Sequence, residues 1–356
     1  MEQQLTIKQI AQLAGVSVGT VDRVLHNRGK VSDKALAAVQ AVLDTQSYRY
    51  NIHTSAVAFK KTGKSLHLLI SIPSSEKGEY WDLVRQGLDK ALREYGDISI
   101  VCEYFFFDQF SSLSCRDVFH KVASQPCSAV ILGTTFIAET RELCWRLDER
   151  GVPYVFVDGS VPGTNPVGRF MVDQDVCGRL LARLMDGFTP DGSEIAVLLP
   201  RRIGTQISNN SALRLQAFKD YFAARGSKRI IKESFFPAAD AAEASADIVS
   251  FLEKNPKVRG IAVVISAGYR VADAVPDSRR EGLVIGGFDV TEGNSRCILA
   301  GTMDFLINQH PDRQGFCAVE SLLHFLLYGA PDKSSEGRLP IDIVFKENLM
   351  PRQAAE

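Results

Sequence analysis

Groups that carry metal or covalent chemistry are sparse in this chain. Six histidines (His26, His53, His67, His120, His310 and His324) and seven cysteines (Cys102, Cys115, Cys127, Cys144, Cys177, Cys297 and Cys317) are scattered, with no Cys-x-x-Cys or His-Glu-x-x-His among them. An odd, dispersed set of cysteines excludes a disulfide framework or a zinc site and reads as buried or free thiols in a reducing compartment. Gly-x-Ser-x-Gly and Gly-x-Gly-x-x-Gly are missing as well, so neither an activated serine nor a dinucleotide fingerprint is present, and no enzyme, metal or cofactor is expected. No apolar run approaches the ~18 residues that suggest a membrane span. No basic-then-apolar signal segment opens the chain. A cytoplasmic protein without membrane association is the expectation.

What is present is a chain long enough for two or three domains, 356 residues. The overall charge of −1 is unevenly placed. Residues 1–64 hold nine Lys/Arg against four acids, so the rest carries a surplus of six acids. A basic head on an acidic body suits a nucleic-acid-binding domain fused to something else.

The head is organised around residues 6–29. Thr6 can cap a helix through its hydroxyl. Ile7, Ile10, Ala11 and Ala14 then fall at helical spacing. Gly15 follows, where a residue able to turn left-handed ends a helix. Ser17 can cap a second helix whose apolar positions are Val21, Val24 and Leu25. Two helices this short bury little, and Leu36, Val39, Val42 and Leu43 supply a third to close the core. This is the pattern of a helix-turn-helix. Val18, Gly19, Thr20 and Arg23 lie near the start of the second helix, the part that faces base edges in a major groove.

The run Gly15-Val16-Ser17-Val18-Gly19-Thr20-Val21-Asp22-Arg23-Val24-Leu25-His26-Asn27, followed by Val31-Ser32, resembles the N-terminus of the lactose-repressor (LacI-type) family of bacterial transcription regulators. Tyr48-Arg49-Tyr50-Asn51 resembles the Tyr-x-Pro-Asn with which that family begins its hinge helix. Asp22 stands where the family usually has Ser, and Tyr50 where Pro is usual. The resemblance implies DNA contacts from Thr6, Ser17, Val18, Gly19, Thr20, Arg23, His26, Asn27 and Asn51. Val18 and Gly19 match its base-reading pair, and their small size suits a thymine methyl or close backbone approach.

Residues 51–59 can form a short helix that is marginal alone in water; the bland reading is a disordered linker. The resemblance makes it a hinge helix that folds in the minor groove against a second copy, with Val57 as the apolar wedge and Phe59 as a further candidate. Ala58-Phe59-Lys60-Lys61-Thr62-Gly63-Lys64-Ser65 looks like a P-loop, but its first Gly is Ala and it precedes a strand instead of following one.

From residue 66 the pattern alternates strand and helix. Strands are expected at 66–72, 98–105, 128–132, 153–157, 194–199, 229–235, 260–265, 283–288 and 339–345, with helices such as 79–95, 138–150, 174–186, 210–225 and 311–328 between them. Continuous apolar strands belong to parallel sheets covered on both faces, and repeated βα units indicate doubly wound α/β domains. The Gly/Pro-rich break at 158–166 divides the body. The fold class is an all-α helix-turn-helix head plus an α/β body. That body resembles two Rossmann-like lobes of the type I periplasmic-binding-protein fold, crossed three times by the chain. The expected domains are 1–50 (helix-turn-helix), 51–64 (hinge and linker) and 65–356 (ligand binding). In the last, the first lobe is placed at about 65–162 and 303–330, and the second at about 163–302 and 331–356.

Ligands in such sheets sit beyond the carboxyl ends of strands. Tyr80 and Trp81, followed by Gly87, match the family's aromatic pair after the first strand, though its Asn-Pro is absent; packing at a helix start is the alternative. Arg214-Leu215-Gln216-Ala217-Phe218 resembles the family's Arg-x-x-Gly-Phe, with Asn210 one turn earlier on the same side. Gly286-Gly287-Phe288-Asp289 resembles its Gly-Tyr/Phe-Asp, making Asp289 an acceptor for the ligand. Asp158, Phe136 and Asp173 follow or flank other strands. For Phe136 and Asp173 the plain reading, a core aromatic and a capping carboxylate, is the stronger.

These residue types suit a sugar or sugar derivative, through stacking and bidentate polar contacts; a nucleobase would also satisfy them. The resulting expectation is a transcriptional regulator, a repressor in sign. It would act as a homodimer on a pseudo-palindromic double-stranded operator under control of a small effector. The chain shows no extra C-terminal apolar heptads, which favours a dimer. A solute-binding protein of the transport type is the alternative, and it predicts a secretion signal and no basic head.

Overall fold

The computed structural model describes residues 7–25, 29, 31–45, 63–201, 209–329 and 339–349. The head is three helices, α1 (Ile7–Ala14), α2 (Val18–Leu25) and α3 (Asp33–Thr45). Ile10, Ala11, Val21 and Val39 are buried at their centre, with Ile7, Ala14, Val24, Val42 and Leu43 packed around them. The turn between α1 and α2 closes where Gly15 takes φ +64° and the Val16 N–H reaches back to the Ala11 carbonyl. Leu36, expected in this core, is instead 45% exposed. Three short helices close around Val39, one turn further along α3, and Leu36 lies off that face.

The body begins with β1 (Leu66–Pro73), α4 (Tyr80–Glu94), β2 (Ile100–Phe107), α5 (Ser112–Ser124), β3 (Ala129–Gly133), α6 (Ile137–Glu149), β4 (Tyr154–Val157) and β5 (Gly168–Phe170). These strands form one parallel sheet in the order β2-β1-β3-β4-β5. The chain then crosses to a second sheet through α7 (Gln174–Phe188), β6 (Glu194–Pro200), α8 (Asn209–Ala224), β7 (Ile231–Phe236), α9 (Ala241–Lys254) and β8 (Val258–Val263). It continues through α10 (Gly268–Ala274), α11 (Asp277–Arg280), β9 (Val284–Phe288), α12 (Glu292–Ala300) and β10 (Phe305–Asn308). It returns to the first sheet with α13 (Pro311–Tyr328) and ends in the second with β11 (Asp342–Val344). The second sheet runs β11-β10-β9-β8-β6-β7, with β11 antiparallel at its edge.

Both sheets are covered on both faces, which is why their strands read as unbroken apolar runs. In β1, Leu66, Leu68, Ile70 and Ile72 enter one apolar cluster while Leu69 enters the cluster on the other face. Two equivalent clusters flank the second sheet.

The crossings fall later than the sequence suggested. The stretch 158–166 joins two strands of one sheet, because β5 pairs with β4. The first crossing therefore follows Phe170, not residue 162. Likewise β10 pairs with β9, so residues 303–308 belong to the second lobe and the return follows Asn308. Strands of three and four residues, such as β5 and β10, are too short to show a period of their own.

Each crossing helix seats a glycine against the first helix of its lobe. A Cβ on Gly315 of α13 would collide with the Val84 carbonyl of α4, and one on Gly87 of α4 with the Asp312 carbonyl of α13. A Cβ on Gly178 of α7 would meet the Arg214 carbonyl of α8. Backbone obstacles cannot rotate away. Gly87→Ala should therefore destabilise the body by about 1–3 kcal/mol, the range for overpacking, read as a lower midpoint in thermal melting of the full chain. The same change at exposed Gly187, where a Cβ meets nothing, should lack this penalty.

Candidate functional site

The N-terminus of α2 is capped by Ser17, whose Oγ accepts the Thr20 N–H at 3.1 Å and lies 2.8 Å from the Thr20 hydroxyl. Satisfying these groups internally leaves Val18, 47% exposed, and Gly19 open to solvent. Arg23, one turn on, is exposed and returns its Nε–H to the Gly19 carbonyl at 3.0 Å. Val18 and Gly19 border a shallow concavity with Ile7, Lys8 and Asp22. The structure thus brings Ser17, Val18, Gly19, Thr20 and Arg23 together at one end of an exposed helix. Thr6, His26, Asn27, Asn51 and Val57, and with them the expected hinge helix, lie outside the described residues.

The second site is a cavity of about 510 Å³ between the lobes, at the carboxyl ends of the strands. From the first lobe, Tyr80 and Trp81 open α4 against it, and their rings meet edge to face at 5.3 Å. The Tyr80 hydroxyl donates to Asp158 at 2.6 Å. Burial, reinforced by that carboxylate, holds the phenol well above its ordinary pKa, so it remains a neutral donor. Trp81 is only 3% exposed and is anchored in the first-lobe core, so it contributes an edge of the wall as well as packing. Asp158 ends β4 at φ +71°, a conformation that Asp tolerates better than most residues. Its N–H donates to Gln314 Oε1 at 3.1 Å.

From the second lobe, Asn210 reaches across and donates from Nδ2 to the Asp158 carbonyl at 2.7 Å. Its Oδ1 is buried without a hydrogen-bond partner. Arg214, 4% exposed, lies with its guanidinium 4.0 Å from the centre of the Phe288 ring. It donates from Nε to Gln174 at 2.6 Å, from Nη1 to the Val264 carbonyl at 2.8 Å and from Nη2 to Gln309 at 2.5 Å. Three of its five donors are thus fixed inside the protein, and one on each terminal nitrogen remains for the cavity.

One ligand assignment is corrected, and Phe136 and Asp173 take the core and capping places that were the stronger reading of each. Asp289 is fully buried behind the wall, not in it. Its carboxylate accepts from Ser266 Oγ (2.6 Å), the Gln309 N–H (3.0 Å) and Gln309 Nε2 (2.7 Å). Burial raises its pKa, and those donors together with Arg214 oppose the rise. Phe136 is 2% exposed and packs in the first-lobe core at the start of α6; a ring that large is removed from water more favourably there. Asp173 caps α7, accepting from the Asp175 and Val176 N–H groups.

Sequence reading missed much of the wall. Asp108, Gln109 and Phe110 follow β2, and Thr134 and Thr135 follow β3. The rule that ligands lie beyond strand ends pointed at all five. Glu76, Glu79, Ser266, Arg270 and Gln309 also line the cavity, without a local signal. Among the described residues, no group of His, Cys, Asp or Glu is arranged to hold a metal ion, and no helix is long and apolar enough to cross a membrane.

Removing the Arg214 side chain strands Gln174, Val264 and Gln309 acceptors and leaves Asp289 less compensated. Arg214→Ala should cost about 3 kcal/mol or more, read as a lower denaturation midpoint; an unchanged midpoint would contradict this buried role. Asp289 titrates the other way. Its raised pKa favours the protonated folded form, so its contribution is complete below the ordinary carboxylate pKa and is lost as pH rises through the folded value. Wild-type protein should therefore lose stability relative to Asp289→Asn over that rise, measured as the difference between their midpoints at each pH.

Comparison with known proteins agrees with both halves of this geometry. Residues 6–51 match the model of bacterial regulatory proteins of the lacI family, and residues 69–329 match a periplasmic binding protein domain. The HTH-type transcriptional regulator DegA of Bacillus subtilis (strain 168) is 29% identical over 97 residues, which are 27% of this chain and 28% of that protein. The HTH-type transcriptional regulator GalR of Escherichia coli (strain K12) is 44% identical over 57 residues, 16% of this chain and 17% of that protein. The matched segments thus span under a third of these curated relatives. A crystal structure described as a LacI transcriptional regulator from Bacteroides fragilis superposes with a TM-score of 0.75 at 25% identity, covering 80% of this chain and 99% of that one. The family is one of regulatory proteins rather than enzymes. A lacI-type helix-turn-helix joined to a two-lobed periplasmic-binding-protein body places this chain in the LacI family of bacterial regulatory proteins.

Proposed function

We propose that the chain is a DNA-binding transcriptional regulator, a repressor in sign, whose hold on its operator is set by a sugar or sugar derivative bound between the lobes. The observation that carries this reading is the joining, in one chain, of an exposed, capped α2 and an interlobe cavity whose wall is itself bridged from Asn210 to Asp158. Any ligand there touches both lobes, so it favours one interlobe angle over another, and such differential contact is what shifts an equilibrium. Coupling of this kind is typically ~1–3 kcal/mol. The chemistry supports a polyhydroxylated ligand: aromatic edges from Tyr80 and Trp81, two free N–H groups on Arg214, and a carboxylate acceptor from Asp158.

In this reading the chain works as a homodimer in the cytoplasm. Two copies of α2 occupy half-sites of a pseudo-palindromic duplex. Ser17, Val18, Gly19, Thr20 and Arg23 face the major groove. Thr6, His26, Asn27 and Asn51 add contacts, and Val57 is the minor-groove wedge between the hinges. Phosphate contacts from the basic head make the affinity fall steeply with salt.

Fluorescence anisotropy of the full chain on operator duplexes selected from a random library tests the head. Binding should weaken as salt rises. Arg23→Ala should lower the affinity about tenfold or more, the loss of a good base or phosphate contact being worth ~1–3 kcal/mol. Unchanged affinity would remove α2 from the interface. A melting screen of the same protein tests the cavity: sugars should raise the melting temperature, and a response to nucleobases alone would refute the sugar assignment.

A further inference from the structure

The charge of the cavity wall narrows the ligand class. Among the described residues the wall holds four carboxylates, Glu76, Glu79, Asp108 and Asp158, and two guanidiniums, Arg214 and Arg270. Segment 202–208, outside the described residues, has Arg202 as its one charged residue, so the balance stays acidic even with it counted.

The two cations are moreover answered within the protein. Arg214 has three donors fixed and supplies the positive charge that faces buried Asp289. Arg270 lies over the Tyr269 ring at 5.4 Å and faces Glu79 electrostatically. Helix α4 begins at the cavity with Glu79 at its cap position and Asp82 in its first turn. Acids at these positions answer the positive end of a helix, the feature that elsewhere attracts anions.

Asn210, by contrast, is spent within the protein: its Nδ2 is held on the Asp158 carbonyl and its Oδ1 is buried beside Gly159.

We propose that this cavity selects a sugar or polyol without an anionic group, and rejects phosphorylated and acidic derivatives of the same sugar. The proposal rests on the sugar reading above but makes a separate demand on charge. The neutral ligand donates hydroxyl protons to the wall carboxylates and takes N–H groups from Arg214. An added phosphate places like charge among Glu76, Asp108 and Asp158 in a cavity enclosed by both lobes, where repulsion is screened less than at an open surface.

The test is calorimetry on the full-length protein with matched ligands: neutral hexoses, pentoses and polyols, each beside its phosphate ester and its uronic or aldonic acid, together with uncharged nucleosides. A neutral sugar should bind about tenfold or more tightly than its anionic partners, because like charges brought together oppose binding. A phosphate ester or acid that binds as tightly as its neutral parent overturns the proposal and leaves the sugar reading standing. Binding of uncharged nucleosides alone overturns the sugar reading and keeps the charge selection. The double variant Glu76→Lys/Asp108→Lys changes two exposed positions on the wall. It should narrow the gap between neutral and phosphorylated partners, and an unaltered gap would show that wall charge does not set the preference.

Discussion

The constraint on which the site depends is the burial of Asp289. A carboxylate with no exposed surface is tolerated only if its oxygens are bonded and its charge is opposed. Ser266 and Gln309 bond it, and Arg214 opposes it through the same Gln309 side chain. Fixing Gln309 fixes the segment that returns to the first lobe. Five residues on, Gln314 accepts the Asp158 N–H and donates to the Gln309 carbonyl. One hydrogen-bonded path therefore runs from Arg214 and Asp289 in the second lobe to Asp158 in the first, along the segment that joins them.

The two lobes use matching parts. Asp158 and Asp289 end the fourth parallel strand of their lobes, β4 and β9, and both adopt left-handed backbone, at φ +71° and +64°. Each crossing helix carries a glycine at its fifth position, Gly178 or Gly315, seated on the helix that opens the lobe. The lobes then diverge in chemistry. Asp158 lines the cavity and accepts from Tyr80, whereas Asp289 is sealed behind Arg214. A duplicated frame thus presents an acid from one side and a cation from the other.

Much of the fold was legible because its signals are local. The core of the head follows from Ile10, Ala11, Val21 and Val39 at helical spacing, and eight parallel strands stood out as apolar runs because both faces of each sheet are covered. Of the residues that line the cavity, Tyr80, Trp81 and Arg214 were pointed to by motif resemblance, Asn210 by helical spacing from Arg214, and Asp158 by its place at a strand end. Asp289 was misplaced because the position of a residue in a motif says nothing about the layer in which its side chain finishes. Arg270 and Glu79 meet only because α10 of one lobe approaches the start of α4 in the other.

By itself, the sequence determined the longer helices and eight of the parallel strands, the presence of a helix-turn-helix with a basic surplus, and a body of two doubly wound halves. Those properties depend on hydrophobic period and turn residues within a few positions of one another. Tertiary structure alone decided that β5 stays with the first sheet and β10 with the second, and that Asp289 is a buried support. It also decided that the described part of the cavity wall holds four carboxylates against two guanidiniums. Each of these rests on pairings between residues separated by up to about a hundred positions or more, such as Asn210 with Asp158 or Gln309 with Arg214, and no local pattern encodes which of two distant groups will be brought to face the other.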